Sequence, residues 1–90
     1  MNNLKEIREL KDTIELMTSD DYKKRFIAEY NQLLIRFRKL GNILDHYYDF
    51  LDEGQPKFDC PFELLQMQFL TMSKLLDILK IRAIIEGIKL

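Results

Sequence analysis

YKKRFIAEYNQLLIRFRKLGNILDHYYDFL, residues 22–51, decides how the rest of the chain folds. Its residues Phe26, Tyr30, Leu33, Phe37, Leu40, Leu44, Tyr47 and Leu51 follow one another by four and three in alternation. That is the 3.5-residue period of a heptad seam, which a helix gathers onto one face. A strand would need apolar residues at alternate positions. The spacing predicts one long helix over 20–53. Downstream, Phe62, Leu65, Phe69, Met72, Leu76, Leu79 and Ala83 repeat the same steps. Between the stripes, Gly54 reads as a helix stop, and Pro56 cannot continue a helix. The turn is expected over 54–60, with Phe58 tucked beneath it. Pro61 and Glu63 then open a C-terminal helix over 61–88. Two long stripes joined by a short turn predict an all-α fold, a long antiparallel helical hairpin with coiled-coil-like packing. Gly41 stands inside the seam, at a helix-propensity cost of about 1 kcal/mol against Ala. Its place there implies that a neighbouring backbone approaches closely.

Upstream of the seam, Leu4, Ile7, Leu10, Ile14 and Met17 recur at helical spacing among charged residues. They predict an amphipathic N-terminal helix over 3–17, with Glu9–Lys5 and Glu15–Lys11 as pairs four apart. A helix of that length is marginal in water by itself, so it should dock on the hairpin or on a second copy. Thr18-Ser19-Asp20-Asp21 breaks the pattern; Thr18 or Ser19 is placed to cap the long helix, with the aspartates near its positive end. Leu64, Leu70, Leu75, Ile78, Ile81, Ile84, Ile85 and Ile88 spread apolar surface beyond a single stripe of the last helix. A helix so apolar around its circumference is covered on more than one side, so a homo-oligomer is expected.

The 90 residues suit one domain. A formal charge of −1 from 14 basic and 15 acidic residues does not indicate a nucleic-acid binder. Cys60 is the only cysteine, which excludes an intrachain disulfide and favours a cytoplasmic location. Residues 1–10 carry no apolar signal core, and no uncharged apolar run is long enough to span a membrane. Gly-rich phosphate loops, G-x-S-x-G and H-E-x-x-H are all absent. Asp45, Asp49 and Asp52 share a helical face beside His46, but this reads as a solvated acidic surface rather than a metal site. Cys60 and His46 lack a third, orienting residue, so nucleophilic catalysis is not expected. Neither a cofactor nor an enzymatic activity is implied.

One charge pattern does point to a ligand. Lys23, Lys24, Arg25, Arg36, Arg38 and Lys39 crowd the first half of the long helix. With the chain turning between 53 and 61, facing residue numbers add to about 114. Arg82 then falls near Gln32, and Lys89 near Arg25. The open end of the hairpin would collect Lys23, Lys24, Arg25, Arg36, Arg82 and Lys89. Forked arginine donors and free helix N–H groups suit phosphate. Tyr22 and Phe26 would lie alongside to stack a base. The competing reading is a solvated basic face partnered by Glu29 and Glu86.

DYKKRFIAEYNQLLIRFRKL at 21–40, DCPFELLQMQFLTMSKLL at 59–76 and RAIIEGIKL at 82–90 carry a resemblance. They resemble a family of short phage and prophage proteins of Gram-positive bacteria. Its members share a D-Y-K-x-R-x-x-x-E-Y opening, a C-P-x-x-L-L turn and an R-A-x-x-E-G-I ending. The likeness spans about residues 18–90 and leaves 1–17 outside. That family is related to the helical-hairpin sponges that phages use against CBASS and Thoeris immunity. Those sponges oligomerise and sequester cyclic nucleotide signals without cleaving them. The resemblance implies an oligomer that binds a cyclic nucleotide or ADP-ribose-type signal in the cytoplasm of an infected or lysogenic host. In the sponges a tyrosine near the start of the long helix and a basic residue some four turns on touch the ligand. Tyr22 matches the first, and Arg36 or Arg38 the second. The expected ligand-binding set is therefore Tyr22, Arg25, Phe26, Arg36, Arg38 and Arg82. Two other readings stand beside it: an anti-CRISPR-like or regulatory protein acting through a helical surface, and a structural coiled coil without a ligand.

Overall fold

The computed structural model describes residues 6–48 and 59–90. A 3-10 turn at Leu10–Thr13 leads into a short helix, α1, at Ile14–Met17; two long helices follow, α2 at Tyr22–Asp45 and α3 at Phe62–Glu86. The described residues contain no strand.

Asp21 caps α2. Its backbone is extended, and its carboxylate accepts the Lys23 N–H at 2.9 Å. Ser19 acts one step earlier, its hydroxyl accepting the Asp21 N–H at 3.0 Å. Thr18 turns its hydroxyl back to the Ile14 carbonyl, 2.8 Å away, so neither Thr18 nor Ser19 is the cap. The helix stops at Asp45 rather than running on to 53, and residues 46–48 form a turn. Tyr47 explains the early stop. It is buried, meets Phe62 edge-on at 5.4 Å between ring centroids, and donates its hydroxyl to the Cys60 carbonyl at 2.8 Å. It thus ties the end of α2 to the start of α3. Asp49, Asp52, Phe58 and the expected turn over 54–58 lie outside the described residues.

Pro61 sits at the N-cap of α3, one position before the expected first turn. The helix ends at Glu86 because Gly87 takes the left-handed conformation, φ 70°, that an L side chain disfavours. The Ile88 N–H then donates to the Ala83 carbonyl at 2.8 Å. This folds Ile88 back into the core with Phe26, Leu79 and Ala83, against Ile27, Tyr30 and Leu33. Ile88 therefore belongs to the interior and not to the expected surplus surface.

The two long helices pack antiparallel, as predicted. Phe37 and Phe69 stack at 4.2 Å near the middle. Gly41 does admit a close neighbour, but the neighbour is a ring rather than a backbone: a Cβ there would lie 2.9 Å from Phe69 Cε1. The register differs from expectation. Arg82 sits over Phe26 and not near Gln32, a displacement of nearly two turns of α2, or about six residues. The cause is the early end of α2, which moves the pivot of the hairpin towards the N-terminus.

The N-terminal segment packs on its own chain, against α2. Thr13 is fully buried there, donating to the Leu10 carbonyl at 2.7 Å and accepting from Gln32 Nε2 at 2.8 Å. The expected helix over 3–17 is much shorter. Asp12 accepts the backbone N–H groups of Arg8 and Glu9, both at 3.0 Å, which competes with helical bonding upstream of Leu10. Lys11 pairs with Glu9 at 3.4 Å, not with Glu15, and Lys5 lies outside the described residues.

Candidate functional site

At the open end of the hairpin, the first turn of α2 meets the last turn of α3. Tyr22 is the first residue of α2, and Arg82 and Glu86 lie four apart near the end of α3. The Tyr22 hydroxyl donates to Glu86 Oε1 at 2.7 Å. Arg82 donates twice, from Nε to Glu86 Oε2 at 3.1 Å and from an Nη to the Tyr22 hydroxyl at 2.8 Å. The guanidinium lies over the Phe26 ring, Cζ to centroid 4.9 Å, and Tyr22 meets Phe26 edge-on at 6.2 Å. Phe26 is buried, so the arginine rests on a fixed floor.

The cluster is open to solvent on its outer side: Tyr22 is 45% exposed, and the Arg82 and Glu86 side chains are 44% and 31% exposed. Its electrostatics are self-consistent. The Tyr22 hydrogen bond, with Arg82 beside it, holds the Glu86 carboxyl below its ordinary value, and the Lys23 ammonium acts in the same direction. The bond to Glu86 pushes the Tyr22 phenol up. The Arg82 guanidinium, bonded to Glu86, is held still more firmly in its charged form. Two donor groups therefore converge on one anion, and at present that anion belongs to the chain itself.

Of the residues expected to bind a ligand, the structure brings together Tyr22, Phe26 and Arg82. Phe26 has a different part from the expected one. As a buried core residue, it supports Arg82 and offers no face for a stacking base. Arg25 turns away and donates to the Ser19 carbonyl at 2.8 Å, pinning the loop before α2. Arg36 and Arg38 are both exposed. At 100° per residue, Arg36 shares the flank of Tyr22 while Arg38 falls on the opposite one. Arg36 nonetheless stands about 21 Å along the axis from Tyr22, too far for one phosphate to reach both within a protomer. The basic pole is thus narrower than expected, Lys23 and Arg82 being its members nearest Glu86. Glu86 is the residue the sequence reading left out of the site. The i, i+4 spacing of Arg82 and Glu86 was its available signal.

Among the described residues, the other end offers less chemistry. An open groove of about 340 Å³ is lined by apolar residues of both helices, Phe69 and Leu70 among them, with Asp45 and Gln66 at its edge. Among the described residues no group of His, Cys, Asp and Glu could hold a metal ion. No helix there is long and apolar enough to cross a membrane. The outer face of α3 is apolar and exposed, with Ile84 and Ile85 at 81% and 77%, and Leu64, Met67, Leu70 and Ile81 all above half.

No curated protein and no solved structure matches the chain. A family model does match, over residues 20–85, the span that joins Tyr22 to the last turn of α3 and leaves out the N-terminal segment. That span is most of the chain, and the protein belongs to the family described as Sequestin.

Proposed function

We propose that the protein is a phage anti-defence sponge, which captures a cyclic nucleotide or ADP-ribose-type immune signal and does not cleave it. It would work as a homo-oligomer in the cytoplasm of the infected or lysogenic bacterium. The Sequestin family name, which is consistent with sequestering a ligand, supports the reading. The observation that carries it is the Tyr22–Arg82–Glu86 cluster, an exposed arginine fork and phenol aimed at one anion position. A guanidinium fork with a neighbouring hydroxyl is suited to phosphate oxygens. Arg36 lies too far off to join the site of its own protomer. In an oligomer built on the apolar face of α3, it serves the site of a neighbouring copy.

A thermal-shift screen of the full chain over cyclic di- and trinucleotides and ADP-ribose derivatives tests this. A ligand at 100 times its Kd adds about 2.7 kcal/mol of stability. The expected result is at least one stabilising nucleotide, lost in Arg82→Gln. Loss in Arg36→Glu as well, with the oligomer intact, marks a site shared between copies. A screen without a shift rejects the reading. The exposed face of α3 favours a second reading, an anti-CRISPR-like or regulatory protein that binds a partner through this helix. Capture of one defined host protein, unaffected by added nucleotides, distinguishes it.

A further inference from the structure

The donors of the open-end cluster are arranged as a receptor. The Tyr22 hydroxyl and the Arg82 Nε meet the two oxygens of one carboxylate, at 2.7 and 3.1 Å. A second Arg82 nitrogen steadies the phenol at 2.8 Å. Phe26 supports the guanidinium from below and the Tyr22 hydroxyl accepts from it, so Arg82 has two contacts besides the carboxylate. Glu86 is the last residue of α3, next to a left-handed glycine, and its described bonds are the two to Tyr22 and Arg82. Exposed ion pairs of this kind are weak. Lys23 lies beside the same position, its Nζ 3.9 Å from where a Cβ of Gly87 would stand.

We infer that Glu86 occupies the phosphate position of an oxyanion site formed by Tyr22 and Arg82, and that a phosphate group binds there by displacing its carboxylate. The inference rests on the sequestration reading and deepens it, since it makes Glu86 the residue that sets which anions enter. A monoanionic carboxylate ligand gains nothing over Glu86, which is already in place at a high effective concentration. A diphosphate or a terminal phosphate carries at least one charge more than a carboxylate and further oxygens, one of which Lys23 is placed to receive. The site is thereby selective for diphosphates and terminal phosphates over carboxylates and singly charged phosphodiesters. The displaced Glu86 side chain turns out to solvent about the end of α3.

Calorimetric titration of inorganic pyrophosphate into the full chain, with Glu86→Gln and Arg82→Gln alongside, tests this. Glu86→Gln keeps an acceptor for the Tyr22 hydroxyl but removes the competing charge. Its association constant for pyrophosphate is expected to be about tenfold above that of the unaltered protein, and Arg82→Gln is expected not to bind. Weaker binding by Glu86→Gln overturns the inference, because the carboxylate would then be part of the receptor. An unchanged constant, or no binding by Glu86→Gln at all, overturns it too. Should Glu86→Gln fail to fold, the unaltered protein supplies the answer by NMR. Saturating pyrophosphate should shift the Arg82 Nε–H resonance and move the Glu86 carboxyl carbon to its solvent value; a carboxyl that does not move overturns the inference. The two ideas fail separately. A chain that captures a nucleotide but is weakened by Glu86→Gln retains sequestration and loses the displaced carboxylate. Tightened pyrophosphate binding without any nucleotide in the screen does the reverse.

Discussion

Single residues carry two kinds of information here, and the sequence displays one of them better than the other. Tyr22 and Arg82 were legible as neighbours at the open end because a phenol and a guanidinium stand at the ends of two apolar stripes that run antiparallel. Phe26 was misread because a seam position and a stacking position look the same until the register is known. Glu86 was read as a mere counter-ion because its partner Tyr22 lies 64 residues away. Gly41 allows a direct test of the packing. Alanine there gains about 1 kcal/mol in helix propensity. It also places a methyl 2.9 Å from a Phe69 ring that can retreat only by loosening its stack on Phe37. Overpacking of this kind costs about 1–3 kcal/mol. Gly41→Ala is therefore expected to be net destabilising by about 1 kcal/mol in urea unfolding. In a Phe69→Leu background the same substitution should stabilise, and a loss in both backgrounds would show that the ring is not the obstacle.

At the scale of elements, the stripes were readable and their ends were not. Hydrophobic period reports which face is buried, and it continues through a residue such as Tyr47 whether or not the backbone is still helical. The stops are set by groups the period does not contain: the Asp12 carboxylate upstream of Leu10, the Tyr47 hydroxyl on Cys60, and the left-handed Gly87. The composition of α3 makes a further claim. Its buried side is Leu76, Leu79 and Ala83, yet Ile78, Ile81, Ile84 and Ile85 stand exposed on the other side. A strip of this kind along a helix of about 37 Å is an expensive surface to leave in water. The homo-oligomer proposed above uses it. Paired Ile81→Glu and Ile85→Glu substitutions should then convert the assembly to monomers in sedimentation velocity, with helical content unchanged. An oligomer that survives both charges is held by another face.

Across the whole molecule, the two long helices are fastened differently at their two ends. Among the described residues, the middle and the closed end are joined by ring contacts, Phe37 on Phe69 and Tyr47 on Phe62. The open end adds to its Phe26–Leu79–Ala83–Ile88 core a polar fastening of Tyr22, Arg82 and Glu86, with Lys23 beside them, and that part responds to pH. The sign follows from each group. Glu86 is held below its ordinary value, so its contribution is present above the unfolded carboxyl pKa and is lost as pH falls through the lower folded one. Tyr22 is pushed above its ordinary value, so its contribution is present below the unfolded phenol pKa and is lost as pH rises through the higher folded one. Arg82 remains charged throughout. The latch is thus closed from mildly acidic to mildly alkaline solution and opens at either extreme. After correction for the intrinsic exchange rate, amide hydrogen exchange below about pH 4 should quicken at Ala83–Ile88 and in the first turn of α2 before it does around Phe37 and Phe69. Tyr22→Phe removes the phenol from both bonds it shares. In that variant the open end should exchange faster at neutral pH and change less on acidification. Uniform loosening of both ends with acid, in either protein, would place the pH-sensitive contact elsewhere in the fold.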